Sequence, residues 1–335
     1  MNNKMLNPTR QMLIDKYIEA LERDEIPFEC GWYSYDAPQN AITGRKYNGI
    51  NAMLLSYIAY DMKLEGNRWC TFSQIADKEG KYHPNEKWHL KKGSQSVPVE
   101  YWYVYNTTDK KKYSIQEYNK AIKEGKYTEN DFVWRVRTYN VFHESCIEGI
   151  QPPEKYRPEV QIDRLDVIDR LITNMNVKYE EQGDRAYYSP KYDKVVIPPY
   201  NHFKSEYDYC STQLHELCHA TGHNTRLNRN LLNEFGSEEY AREEMRAEIS
   251  SSMLSAELGI PASEANTENH MSYVQSWIAV LKNDPNELFR AIKDAEDIID
   301  YVEEKGEIKK EIDEPNLNND DYELEIWSEV IWWMM

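Results

Sequence analysis

Two histidines, His215 and His219, bracket a glutamate, Glu216, in the run Leu214-His215-Glu216-Leu217-Cys218-His219-Ala220-Thr221-Gly222-His223. On an α-helix, positions four apart lie one above the other on the same face. The two imidazoles can therefore offer nitrogens to a single ion. Zinc takes such nitrogens at about 2.0–2.1 Å, and a catalytic site keeps one position open for water. Glu216 adjoins the first ligand, where it can reach that water and accept its proton. The spacing supplies two ligands and a general base.

The surroundings suit a helix. Residues 207–214 read as its start, with Ser211 or Thr212 as caps, and Gly222 stands where it can end. A third ligand must come from elsewhere. The metzincin pattern needs a third histidine six residues after the second, and that position is Thr225. His223 would share the ligand face only if the helix ran through Gly222. The next acidic stretch, Tyr240 to Glu248, places Glu244 and Glu248 four apart on one helical face. This spacing resembles the glutamate-zincin arrangement. That likeness implies a first acid on the metal and a second that fixes a histidine's tautomer from behind. Glu244 is the favoured ligand, with Glu243 and Glu248 as alternatives. Cys218 sits at the edge of the ligand face and reads as helix packing.

The elements that must hold these groups belong to a chain of 335 residues, long enough for two domains. With 40% hydrophobic and 29% charged residues it has the profile of a globular protein, and no stretch nears the roughly 20 apolar residues of a membrane span. No signal-peptide core opens it. Cys30, Cys70, Cys146, Cys210 and Cys218 are scattered and odd in number, which points to a reducing cytoplasm. The net charge of −18 is uneven: residues 1–150 carry +1 and the remainder −19. That asymmetry suggests a boundary near Gln151-Pro152-Pro153 and directs any polyanion to the first half.

In that half, residues 9–24 have helical periodicity, and the aromatic stretch 32–40 reads as turns. A glycine-punctuated loop then feeds an apolar helix. In it Arg45 and Lys46 can hold phosphates, Tyr47 can stack, and Asn48 and Asn51 can donate at the helix start. Trp69 closes a short strand before another helix, and Lys91 and Lys92 make a basic turn. Residues 97–105 and 134–142 read as aromatic strands around a hairpin-like insertion that reaches Asp131. Aromatic rings with interleaved cations are how single strands are gripped without sequence readout. The same residues also suit an ordinary core and solvated turns.

In the second half, residues 160–175 read as a helix, followed by short strands at 177–179, 185–189 and 194–198. Residues 193–198 are the expected edge strand beside the metal, able to pair with an extended peptide. His270 and Tyr273, close enough to share a helical face, are candidates to stabilise an oxyanion; packing roles fit them equally.

Taken together these stretches resemble the ArdC-type antirestriction proteins of plasmids and other mobile elements. The likeness rests on Thr43-Gly44-Arg45-Lys46-Tyr47-Asn48-Gly49-Ile50-Asn51, Trp69-Cys70-Thr71-Phe72, Leu90-Lys91-Lys92-Gly93 and Tyr139-Asn140-Val141-Phe142. In the second half it rests on Arg185-Ala186-Tyr187-Tyr188, the histidine motif with Arg226-Leu227, Glu243-Glu244-Met245-Arg246-Ala247-Glu248 and Tyr273-Val274-Gln275-Ser276-Trp277. His143 and Cys146 depart from the pattern, and nothing matches beyond Glu303. The resemblance implies an α+β chain of two domains: a mixed antiparallel-sheet domain that binds single-stranded DNA at 1–150, and a zincin-like metallopeptidase domain at 151–304. An acidic, finally apolar tail fills 305–335. It implies a Zn2+ cofactor, an unspecified peptide or protein substrate, no membrane partner and a cytoplasmic setting. Two other readings share the motifs: a DNA-binding shield whose metal site is structural or vestigial, and a peptidase whose first domain binds a protein.

Overall fold

The computed structural model describes residues 6–27, 37–151, 164–234, 236–258 and 264–307, with side chains left out at 164, 256–257 and 264–272. The turn-rich stretch up to residue 36, residues 152–153 of the expected boundary, the side chain of His270 and the tail beyond 307 lie outside the described residues. The chain forms two compact units. One holds 1–13, 38–55 and 67–151; the other holds 14–37, 56–66 and 152–335. Helices α1 (Pro8–Glu22) and α2 (Gly49–Asp61) are each divided between them.

The first unit is a sheet of five strands: β1 (Gln39–Asn40), β2 (Arg68–Thr71), β4 (Val97–Asn106), β5 (Lys112–Tyr113) and β6 (Phe132–His143), in the order β1-β2-β6-β4-β5. Its first pair is parallel and the others antiparallel, as a mixed sheet requires. The β4–β6 pair dominates, running in continuous register from Val97↔Val141 to Asn106↔Phe132. Its connection is more than a hairpin. It carries β5 and helix α4 (Ile115–Lys123), which starts at a Ser114–Glu117 capping box and packs Tyr118 edge-on against Phe132 and Trp134. Helix α3 (Phe72–Ala76) follows β2 directly through a Thr71–Gln74 capping box. The basic turn begins with β3 (His89–Leu90), paired with β7 (Ile147–Glu148). One apolar cluster here joins Cys70, Ile75, Trp88 and Ile147, and another joins Val104, Ala121 and Phe132.

The second unit layers helices on three short strands: β8 (Lys178–Glu181), β9 (Tyr187–Ser189) and β10 (Lys194–Ile197). The order is β8-β10-β9, with β10 parallel to β8 and antiparallel to β9. Here the structure corrects the expected edge strand: β10 is central, with Val195, Val196 and Ile197 buried, and β9 is an edge. Helices α5 (Arg164–Met175), α6 (Glu206–Ala220), α7 (Glu238–Glu257) and α9 (Asn286–Lys305) share one core, which includes Leu171, Leu214, Leu217, Ala247 and Ile298. Helix α8 (Glu264–Asn283) adds Trp277, whose indole N–H donates to the Ala241 carbonyl of α7 at 3.0 Å. Among the described residues no helix is long and apolar enough to cross a membrane.

Candidate metal centre

Helix α6 begins earlier than its sequence suggests. Ser205 caps it by accepting from the Asp208 N–H at 3.1 Å, while Thr212, inside the helix, donates back to the Asp208 carbonyl. Asp208 in the first turn complements the helix dipole. Its apolar face, with Leu214, Leu217 and Cys218, points into the core, so His215 and His219 turn toward α7.

There the two imidazoles meet Glu244. His215 Nε2 lies 3.7 Å from one Glu244 oxygen and His219 Nε2 lies 3.5 Å from the other. Ligating atoms of all three fall within 4.8 Å of one another. These gaps exceed the roughly 2.7–2.9 Å of a charged hydrogen bond. They match the spacing of two ligand atoms around a tetrahedral ion: bonds of about 2.1 Å put neighbouring ligands about 3.4 Å apart. The opposite nitrogens are also held. His215 Nδ1 faces Glu248 at 3.5 Å and His219 Nδ1 faces Glu243 at 3.2 Å. A carboxylate behind each ring favours the tautomer that leaves Nε2 unprotonated and aimed at the gap. The donor set therefore fits a divalent metal ion.

The electrostatics agree. Glu216, Glu243, Glu244 and Glu248 are all buried, between 3% and 8% exposed. Burial alone would discharge both histidines, but Glu244 and Glu248 outweigh it at His215, and Glu244 and Glu243 outweigh it at His219. His215 is pushed well above the ordinary imidazole range, and His219 up to about 9. Burial would raise Glu244 too, yet the facing imidazoles hold it well below the usual carboxylate range. The cluster is an excess of buried negative charge that draws positive charge to itself. Glu216 behaves oppositely: burial raises its carboxyl, helped by Glu244 and resisted by the histidines and by the Tyr188 backbone N–H of β9. A carboxylate raised in this way suits proton transfer near neutrality.

Several groups outside the ligand set support the cluster. Arg229 grips Glu243 through both oxygens, Nη2–Oε1 at 2.8 Å and Nε–Oε2 at 3.2 Å. It also donates to the Thr221 hydroxyl at 2.7 Å and the Cys218 carbonyl at 2.9 Å. Gly222 makes room for it, because a Cβ there would lie 3.0 Å from the guanidinium and 2.9 Å from Leu231. Arg226 donates to the Ala220 carbonyl and to Asp193, tying the end of α6 to the turn between β9 and β10. Tyr240 hydrogen-bonds Glu244, and its hydroxyl lies 3.3 Å from that of Tyr273. Tyr273 thus reaches the centre through Tyr240. His223 stands apart, with Nδ1 2.8 Å from the Thr225 hydroxyl, and Cys218 is fully buried in the apolar core.

The candidate DNA contacts fare unevenly. Arg45, Lys46, Asn48 and Lys92 are exposed, and Tyr47 is half-buried. Lys91 is exposed but donates to the Ser145 carbonyl at 2.8 Å. Two candidates are corrected. Trp69 is 1% exposed, its indole N–H donating to Asn67, so its ring is core and offers no stacking face. The Asn51 amide brackets the backbone of Glu100, donating at 2.7 Å and accepting at 2.8 Å, so it braces β4 instead.

Residues 7–142 match the N-terminal domain of the anti-restriction factor ArdC, and residues 166–294 match a zincin-like metallopeptidase family. The chain is 35% identical over 313 residues to a DNA primase TraC from Escherichia coli. That match covers 90% of this chain but only 20% of the primase. Among solved structures, the Mn(II)-bound antirestriction protein ArdC from plasmid R388 superposes with a TM-score of 0.65 at 26% identity, covering 89% of this chain and 97% of that one. Its metal-free form gives 0.67 at 25% identity, covering 91% and 100%.

Proposed function

Since the chain belongs to the ArdC-type antirestriction proteins, with an ArdC N-terminal domain ahead of a zincin-like metallopeptidase domain, we propose that it binds single-stranded DNA with the first and hydrolyses peptide bonds with the second, in the cytoplasm of a cell carrying a mobile element. We place the domain limits at 1–150 and 151–304, with a tail at 305–335. The peptidase reading rests on one observation: His215, His219 and Glu244 converge with the spacing of ligands around an ion.

We assign zinc to this centre, held by His215 Nε2, His219 Nε2 and a Glu244 oxygen. Such an ion, when bound, lowers the pKa of water to about 7 and polarises a carbonyl. Glu216 takes the proton of the attacking water and hands it to the leaving amine. Its raised carboxyl and its hydrogen bond from the Tyr188 N–H support that assignment. Edge strand β9 offers its free side to an extended substrate backbone. Tyr273, and Tyr240 whose hydroxyl lies 3.3 Å from it, are our candidates to donate to a developing oxyanion.

The test is metal analysis of purified protein beside Glu244→Ala and Glu216→Gln. One zinc per chain in the parent and in Glu216→Gln, with none in Glu244→Ala, supports the centre. Casein or autolytic cleavage by the parent that vanishes in Glu216→Gln supports the chemistry. Protection of DNA from restriction that survives Glu216→Gln would assign protection to DNA binding alone.

A further inference from the structure

The register of β4 and β6 sorts their side chains onto two faces, because paired residues point the same way and alternate along each strand. One face carries Glu100, Trp102, Val104 and Asn106 opposite Thr138, Val136, Trp134 and Phe132, and α4 packs on its far end through Tyr118. The other carries Tyr101, Tyr103 and Tyr105 opposite Arg137, Arg135 and Val133, continuing to Tyr139. No β4 or β6 residue on this second face is acidic. Lys112 of β5 joins it, since it pairs with Tyr105.

The rings and cations on this face are already in contact. Tyr101 and Tyr103 lie nearly parallel, 22° apart with centroids at 6.3 Å, and Tyr139 meets Tyr101 edge-on at 6.1 Å. The Arg137 guanidinium lies 5.8 Å and the Lys112 ammonium 5.4 Å from the Tyr103 ring centroid. None of the ion pairs among the described residues uses Arg135 or Arg137. The face grades from a buried end at Val99 and Val141, through half-buried Tyr101, Tyr103, Tyr105 and Arg137, to an open end where Arg135 and Val133 are exposed; Trp102 and Trp134 are exposed on the opposite face. A row of arginine and lysine side chains beside a tyrosine ladder is complementary to a strand that presents phosphates on one side and ring faces on the other.

We propose that this tyrosine–arginine face of β4–β6 is the single-strand DNA site, bases stacking on Tyr103 and Tyr105 while Arg135, Arg137 and Lys112 follow the phosphates. It rests on the DNA-binding reading above and replaces the loop at 43–51 as the principal contact. Stacking contributes about 1–3 kcal/mol per base, a factor of about 5 to 150. Each lost phosphate contact on a single strand lowers the salt slope by about 0.7.

The test uses fluorescence anisotropy of a labelled oligothymidylate against the full chain over a salt series. Tyr103→Leu should weaken binding about 5- to 150-fold with little change in salt slope. Arg135→Gln with Arg137→Gln should weaken it and flatten the slope, while Arg45→Gln with Lys46→Gln should move it less than either. Circular dichroism melting and retained metal show that each variant is folded; should Tyr103→Leu fail there, the arginine pair decides. A parent that binds no oligothymidylate at low salt overturns the DNA reading itself. A parent that binds, with face variants that bind equally well, overturns this site alone. Equal affinity for a duplex of the same length would also overturn it, because paired bases cannot reach the rings.

Discussion

Each unit buries carboxylates, but the two treat them differently. In the sheet unit Glu100 is nearly inaccessible and fully answered by the protein: one oxygen accepts from Asn7 and from Arg10 Nε, both at 2.6 Å, and the other from Trp102 at 2.7 Å and Arg10 Nη2 at 3.2 Å. In the zincin-like unit four glutamates crowd two histidines. Arg229 answers Glu243, and Ser252 donates to Glu248 at 3.2 Å. Among the described residues Glu244 meets the imidazole edges, at 3.5 and 3.7 Å, and a tyrosine. A buried charge must be paired or it costs several kcal/mol. The first arrangement is closed, and its role is to hold β4 and the N-terminal segment together. The second is left short of positive charge, and that shortfall marks it as a site for a cation from outside.

The sharpest way to break this contrast is to delete one carboxylate from each unit. Glu244→Ala should abolish metal retention on dialysis yet leave the melting temperature of the metal-free protein unchanged or higher, because it removes repulsion. Glu100→Ala should keep its metal and lose about 1–3 kcal/mol of stability in urea titration, since Asn7, Arg10 and Trp102 lose their shared acceptor. If both behave alike, the distinction fails. Next in size, Glu216→Gln should lower peptide hydrolysis about 10²–10⁴-fold without altering metal affinity, measured by competition with a chromophoric chelator.

A smaller effect tests how the metal cluster is braced. Arg229→Ala frees Glu243, which then holds His219 less firmly, and metal affinity should fall about 10–100-fold. Arg229→Lys should not restore it, because an ammonium cannot grip both carboxylate oxygens. Gly222→Ala should cost about 1–3 kcal/mol in thermal unfolding by crowding the same guanidinium.

pH separates the units further. In the metal-free cluster the histidine pKa values are raised, so protons compete with the ion, and apparent metal affinity should fall as pH is lowered from 9 toward 6. Burial would raise Glu100, but Arg10, Asn7 and Trp102 lower it. Its contribution to stability is therefore present above the ordinary carboxylate range and lost only as pH falls through the depressed folded value. A titration to pH 5, following metal by chelator absorbance and the fold by circular dichroism, should release the ion and leave the sheet unit folded.

The residues differ in how far their roles could be read in advance. The pairs His215 and His219, and Glu244 and Glu248, were legible because an i,i+4 interval sets a shared face wherever a helix forms. Glu243, an alternative ligand by sequence, stands instead behind His219: helix neighbours point about 100° apart, and only the placement of α6 and the loop holding Arg229 gives that direction a use. β9 and β10 both read as strands, but alternation within a strand does not say which neighbour it takes, so only the sheet order identifies the edge. Trp69 shows the same limit, since an aromatic after a loop suits a binding face or a core equally. The period-2 tyrosines at 101, 103 and 105 were visible as a strand; their pairing with Arg135 and Arg137 was not.

Local intervals thus settled which residues could ligate and activate, and composition settled where positive and negative charge gather along the chain. The tertiary structure alone decided which carboxylates face the same gap, which strand borders it and which side chains share each face of the long strand pair. The reason is physical. Helical and strand periodicity is a property of the backbone at each residue, whereas the partner of a face is chosen by the packing of segments tens of residues apart, and burial of one face determines what the other can do.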